Sequence, residues 1–326
     1  MRAGRPEIDG GLCLAEPSEL GGVRRFSHPA MATVFEVHAV HPDPGYAAQA
    51  AQATFALVDR LEGELSRFAS NSDIARINLL EAGQSVRVGR PAIECLLIAG
   101  HLFDLTGGAF DISIGTGLRS LEIDADNCRV HSTKDGVRVD LGGIGKGYAV
   151  DLMAEVLEEW GIERALVHGG FSSVLALDAA AEREGWPLTL SDPAAPSRVL
   201  ARLSVRQTAL GASGRRKGDH IVDPRTGTPV RGRLAAWVAL PRPPRSGAGA
   251  DDGPRLAAGA VTDALTTAFM LLSPEEITAL CETSPGLEAW ILPDAAGSQS
   301  DETGLLHFRS ESQGAPSSGP VTAGDD

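Results

Sequence analysis

The chain has 326 residues, 43% of them hydrophobic, and a formal net charge of -14. That is ample apolar material for a core, and too acidic a balance for a protein organised around nucleic acid or an anionic membrane. Its four cysteines, Cys13, Cys95, Cys128 and Cys281, lie scattered without CxxC spacing, which indicates neither a cysteine zinc site nor a disulfide framework. No run reaches the roughly 18 apolar residues of a membrane span. The opening stretch MRAGRPEIDGGLCLAEPSELGG lacks the apolar segment of a secretory signal. The expectation is a cytoplasmic chain without membrane insertion, preceded by a disordered leader over residues 1–24.

In chain order, TVFEVHA from Thr33 alternates as a strand should, just after Met31 and Ala32. Residues 46–65 are alanine-rich and place Phe55, Leu57, Val58 and Leu61 on one helical face. The polar loop SRFASNSDIARIN follows, where Ser72 or Asp73 suits the cap of a short turn ending near Asn78. A second helix is expected over residues 91–105, closed by Gly107-Gly108. AFDISIG, residues 109–115, then reads as a strand with Phe110 and Asp111 at the helix-to-strand corner. Asp124 to Asn127 mark a hairpin-like stretch.

Residues 137–151, VRVDLGGIGKGYAVD, read as a strand, a glycine-rich turn and an amphipathic helix with Val150, Met153, Val156 and Leu157 on its apolar face. A phosphate loop GxxxxGK[ST] needs glycine at Asp140 and a hydroxyl residue at Gly147, so that motif is excluded. A dinucleotide GxGxxG beginning at Gly143 meets Tyr148 where its third glycine belongs, so that one is excluded too. What remains is a glycine turn framed by Asp140 and Lys146. It suits an anion or a metal-bound phosphate, or packing alone.

RALVHGGFSSVLAL reads as two strands broken at Gly169-Gly170, and further strands are expected near Leu188 and over residues 199–205. The segment ALGASGRRKGDHIVDPRTGTPV, residues 209–230, concentrates Ser213, His220, Asp223, Arg225 and Thr226 around a turn set by Pro224 and Gly227. It is a site candidate, although a lone loop histidine is more often structural or solvated than catalytic. Residues 241–256, PRPPRSGAGADDGPRL, are expected to be a mobile insertion. AVTDALTTAFMLL, residues 260–272, is a mostly apolar helix in which Asp263 and Thr267 share a face one turn apart. A hard cation with oxygen ligands would satisfy both groups, and so would capping and backbone hydrogen bonding. A short helix from Pro274, strands at LEAWIL and LLHFRS, and a disordered tail over residues 311–326 complete the reading.

Seven segments, MATVFEV, SRFASNSDIARIN, GGAFDISIG, VDLGGIGKGYAVD, VHGG, ASG with HIVDPRTGTPV, and TDALTTA, follow one another in an order that resembles the ApbE family of flavin transferases. The resemblance runs from residue 31 to about residue 292. It implies one α+β domain over residues 25–310, T-fold-like, with antiparallel sheets flanked by helices and FAD in a long cleft. It further implies Mg2+ at the pyrophosphate and transfer of FMN to a Thr or Ser hydroxyl of a target flavoprotein, with release of AMP. By position, Asp263, Thr267 and the Gly143 carbonyl match the magnesium ligands. The FAD contacts fall on Met31, Phe68, Ala109, Phe110, Asp111, Asp140, Lys146 and Ile221. His220 is the expected base toward the acceptor hydroxyl, with Asp223 as rival and Arg225 assisting. Phe68 stands where the family has tyrosine, Gly145 where it has alanine, Phe171 where an acidic or amide residue is usual, and Ala212 in place of threonine. An FAD pyrophosphatase and a non-catalytic FAD-binding protein are the alternatives.

Overall fold

The structure, a computed structural model, describes residues 12–14, 22–180, 183–215, 221–243, 257–294 and 304–310. Strands β1 (Leu12–Leu14), β2 (Val23–Ala30) and β3 (Thr33–Val40) precede helices α1 (Pro44–Leu65) and α2 (Asp73–Ile77). Then come β4 (Ser85–Arg87), α3 (Arg90–Leu105), β5 (Leu121–Asp124), β6 (Arg129–Ser132) and α4 (Gly145–Glu159). Seven strands come next: β7 (Ala165–Gly169), β8 (Ser173–Ala176), β9 (Trp186–Asp192), β10 (Ala195–Val205), β11 (Thr208–Gly214), β12 (Val222–Asp223) and β13 (Thr228–Pro229). The chain closes with β14 (Arg233–Pro241), α5 (Ala258–Phe269), α6 (Pro274–Thr283), β15 (Glu288–Pro293) and β16 (Leu306–Phe308).

An eight-stranded sheet in the order β16-β15-β14-β11-β8-β7-β3-β2 forms the centre, every neighbouring pair antiparallel. Successive side chains of a strand point to opposite faces. Phe35, Val37, Val167, Leu175 and Val238 therefore join Phe55, Leu96, Met153 and Phe269 of the helices in one core. Leu166, Val174, Leu210 and Trp237 pack on the other side against Leu12, Trp186 and Leu188 of the three-stranded sheet β1-β9-β10. This is a helix layer, a large sheet and a small sheet, an α+β architecture with antiparallel sheets. Among the described residues no helix is long and apolar enough to cross a membrane.

Helix α5 reaches the sheet because glycines remove the obstruction. A Cβ on Gly211 would lie 2.5 Å from the Thr262 carbonyl oxygen, and one on Gly147 of α4 would lie 2.1 Å from that of Gly259. Helix α5 is thus wedged between α4 and β11 at backbone contact.

Three sequence expectations change. Leu12–Leu14, inside the presumed leader, pairs antiparallel with β9, Leu12 opposite Leu190. AFDISIG is a run of turns and not a strand, because the Asp111 carboxylate accepts from Ser113 N (2.7 Å), Ser113 Oγ (2.7 Å) and Gly115 N (2.8 Å) and curls the chain around itself. Residues 137–141 carry no strand assignment either. Val139 is buried, but its amide and carbonyl are paired by the Asn78 side chain at 2.7 and 2.9 Å, so an amide side chain does the work of a neighbouring strand. The expected insertion at 241–256 and tail at 311–326 lie largely or wholly outside the described residues.

Candidate active site

The glycine turn of residues 141–145 leads into α4, whose N-terminus carries no side-chain cap of its own. Its third residue, Gly147, donates its amide to Asp263 Oδ2 of α5 at 3.0 Å. Lys146 Nζ stands 3.5 Å from the same oxygen and donates to the Gly142 carbonyl at 3.2 Å. One turn along α5 from Asp263, the Thr267 hydroxyl faces the glycine turn: a Cβ on Gly143 would lie 3.7 Å from Thr267 Oγ1 and 3.3 Å from Phe110 Cε2. Gly143, Lys146, Asp263 and Thr267 thus converge although over 100 residues separate the turn from the helix. Thr267 Oγ1 has no hydrogen-bond partner among the described residues. The neighbouring Thr266 differs: its hydroxyl donates to the Asp263 carbonyl (2.7 Å) and meets Ser213 Oγ at 2.9 Å.

A second buried carboxylate holds this arrangement from behind. Asp151 of α4 accepts from the Gly259 and Ala260 amides, both at 2.9 Å, at the uncapped start of α5. Burial pushes its carboxyl up to about 7, against the two amide hydrogen bonds and the more distant Arg242, which act to lower it. Sequence reading missed this residue, because its partners are far away in the chain.

Asp140 lies beside the turn, its Oδ1 accepting from Gly142 N (2.9 Å) and its Oδ2 3.1 Å from Arg67 Nε. The Arg67 guanidinium also covers the ring of Phe68 at 4.5 Å, and Phe68 is 83% exposed. The Asp140 amide donates to the Ile112 carbonyl at 2.8 Å, which ties the Asp111 turn, with buried Ala109 and Phe110, to the glycine turn. On the far side of the Asp111 turn, a Cβ on Gly115 would lie 2.9 Å from the Pro224 carbonyl oxygen. Asp223 and Arg225 therefore flank the turn that Asp111 organises. They form a two-point ion pair, Arg225 Nε and Nη2 each 2.9 Å from the carboxylate. That hydrogen bonding holds the Asp223 carboxyl below its ordinary value and raises the Arg225 guanidinium. Ile221 is buried, its carbonyl accepting from Val230 N at 2.9 Å. His220 lies outside the described residues.

Met31 lies in the two-residue turn between β2 and β3. Met31 and Ala32 adopt φ of 48° and 57°, a conformation hairpin turns usually give to Asn and Gly. The β7–β8 turn abuts this hairpin: Gly170 donates to the Val34 carbonyl at 2.9 Å, and a Cβ on it would strike Thr33 Oγ1.

The profile of the ApbE family matches residues 31–127 and 115–252. A Treponema pallidum protein named FAD:protein FMN transferase is 27% identical over 295 residues, covering 75% of this chain and 77% of its own length. A Vibrio cholerae protein of the same name is 24% identical, with 66% and 75% covered. Among solved structures, the apo form of Pseudomonas stutzeri flavinyl transferase ApbE superposes with a TM-score of 0.70 at 23% identity, covering 89% of this chain and 94% of that one. The ApbE protein of Thermotoga maritima gives 0.71 at 21% identity, with 89% and 97% covered.

Proposed function

Since the chain belongs to the ApbE family, we propose that it transfers FMN from FAD to a Thr or Ser hydroxyl of an acceptor flavoprotein, with magnesium and with release of AMP. The observation that carries this reading is the convergence of Asp263, Thr267 and Gly143: an oxygen donor set in which Thr267 Oγ1 has no other partner among the described residues, beside a glycine backbone that approaches without a side chain. Such a set fits a hard divalent cation. Magnesium held there by Asp263, Thr267 and the Gly143 carbonyl would draw charge from the pyrophosphate oxygens of FAD.

The chain's own groups supply the rest. Lys146, held between the Gly142 carbonyl and Asp263, offers positive charge to the phosphates. Asp140, Asp111, Ala109, Phe110, Met31 and Ile221 contribute to the FAD surface, and the exposed Phe68 ring stacks on it. In the transfer, the acceptor hydroxyl oxygen bonds to the FMN phosphorus, the bond from that phosphorus to the AMP phosphate oxygen breaks, and the hydroxyl proton passes to a base. Asp223 is a weak base while Arg225 holds it, which favours His220 for that role.

Incubation with FAD, magnesium and a candidate flavoprotein, followed by intact mass of the acceptor, tests the reading. A gain of one FMN supports transfer. AMP without acceptor gain points to hydrolysis, and FAD retained unchanged points to a binding protein.

A further inference from the structure

The opposite face of the central sheet carries a cluster that the transfer reaction leaves unused. Glu36 and His38 alternate on β3 with Phe35 and Val37 of the helix-side core, so their side chains leave the sheet on the other side. The strand register sets His168 of β7 directly opposite Glu36 and Arg25 of β2 opposite His38. Glu36 Oε2 is 3.0 Å from His38 Nε2 and 3.1 Å from His168 Nε2, and one ligating atom from each residue lies within 4.8 Å of the others. All three are buried, Glu36 at 6% exposure, His38 at 2% and His168 at 1%. Phe171 stacks on the His168 ring at 3.7 Å, and Arg25 Nη2 approaches Glu36 Oε1 at 2.9 Å from a side chain 40% exposed.

We propose that Glu36, His38 and His168 are a binding site for a divalent transition-metal ion of the zinc class, separate from the magnesium ligands on the helix side. Two imidazoles and one carboxylate are a donor set for zinc and its neighbours and a poor one for magnesium or calcium, which favour oxygen. An ion about 2.0–2.2 Å from each ligand sets the donors roughly 3.4 Å apart. The two oxygen-to-nitrogen separations need to widen by only a few tenths of an ångström to meet that. Neither His38 Nδ1 nor His168 Nδ1 has a hydrogen-bond partner among the described residues, so the proton that each Nε2 shares with the Glu36 carboxylate can move to Nδ1 when an ion takes Nε2. Arg25 supplies the balancing charge when no ion is bound, and its exposure lets it withdraw when one arrives.

The test uses the full chain stripped with a chelator and titrated with Co2+ as the spectroscopic probe for zinc, under excess magnesium. The expected result is one Co2+ per chain with intense tetrahedral visible bands, displaced by Zn2+, lost in Glu36→Gln and His38→Gln and kept in Asp263→Asn. Arg25→Gln, at an exposed position that tolerates change, removes the competing cation and binds Co2+ several-fold more tightly. No stoichiometric spectrum, a spectrum that survives His38→Gln, one lost in Asp263→Asn, or Arg25→Gln binding no more tightly than the unaltered chain each overturns the proposal. The Arg25→Gln arm decides the matter even where a buried variant fails to fold.

Discussion

Asp151 and Asp263 each cap the helix that carries the other. Asp151, on α4, accepts the first-turn amides of α5 at Gly259 and Ala260, while Asp263, on α5, accepts the first-turn amide of α4 at Gly147. Neither helix has a side-chain cap from its own sequence. The exchange satisfies amides that burial would otherwise leave unpaired, and it fixes Asp263 and Thr267 relative to the glycine turn that α4 begins from.

Replacing Asp151 by Asn removes the charge and keeps the size. With a carboxyl raised to about 7 from 3.8, the folded state binds the proton more tightly than the unfolded chain. Stability from this group is fully present below pH 3.8 and is lost as pH rises through 7. A rise of about three pH units corresponds to roughly 4 kcal/mol. The stability of the unaltered chain relative to Asp151→Asn should therefore fall between about pH 4 and 7 by a large fraction of that amount. Urea unfolding of both proteins across this range measures it, and parallel pH curves would exclude the assignment. Asp151→Ala should in addition lose about 1–2 kcal/mol of capping.

Thr266 and Thr267 are adjacent and predict opposite behaviour. Thr266→Val strips the part-buried Ser213 hydroxyl and the Asp263 carbonyl of a partner and should cost about 1–2 kcal/mol in chemical denaturation. Thr267→Val touches no hydrogen bond among the described residues and should leave stability within about 0.5 kcal/mol. Its effect should fall on the magnesium requirement of FMN transfer, raising the concentration for half-maximal rate by roughly tenfold. A stable variant with an unchanged magnesium response would remove Thr267 from the ligand set.

What the sequence disclosed follows from how local each feature is. Asp263 and Thr267 share a face because helical spacing alone places them so, and the short helix after Ser72 announced itself through its cap, Ser72 Oγ accepting from Ala75 N at 2.9 Å. Periodicity failed where a side chain replaced a strand. Val139 alternates like a strand residue, yet its backbone pairs with Asn78, 61 positions earlier. In AFDISIG the apolar alternation outweighed the Asp-x-Ser-x-Gly turn signal that governs the segment, and Ile114 is held at φ 48° and 57% exposed, against the habit of a β-branched residue. The mutual capping by Asp151 and the Glu36 cluster depend on partners over 100 residues away, which no window of sequence contains.

Glycine substitutions should separate close packing from mere flexibility. Gly147→Ala places a Cβ 2.1 Å from the Gly259 carbonyl oxygen, where backbone faces backbone and no side chain can yield. The two helices must part, at a cost of at least about 3 kcal/mol, and transfer activity should be lost with the geometry of Asp263. Gly63→Ala, in α1, meets nothing within 4 Å and should stabilise by about 0.5–1 kcal/mol. Thermal melts of the two variants give the comparison, and equal shifts would refute the packing argument.

The pH dependence of transfer should distinguish the two candidate bases. Asp223 sits in a two-point ion pair with Arg225 that keeps its carboxyl below the ordinary value, so it is ionised well before the neutral range and accepts a proton poorly. If His220 takes the acceptor proton, the rate should climb through a limb near the ordinary histidine value of about 6.5. Asp223→Asn should leave that limb in place while lowering the rate, because Arg225 loses its anchor beside the Asp111 turn. His220→Ala should erase the limb and cut the rate by about 100-fold or more while FAD still binds. Transfer rates from pH 5 to 9 for the three proteins settle the assignment, and a limb that vanishes in Asp223→Asn but persists in His220→Ala would reverse it.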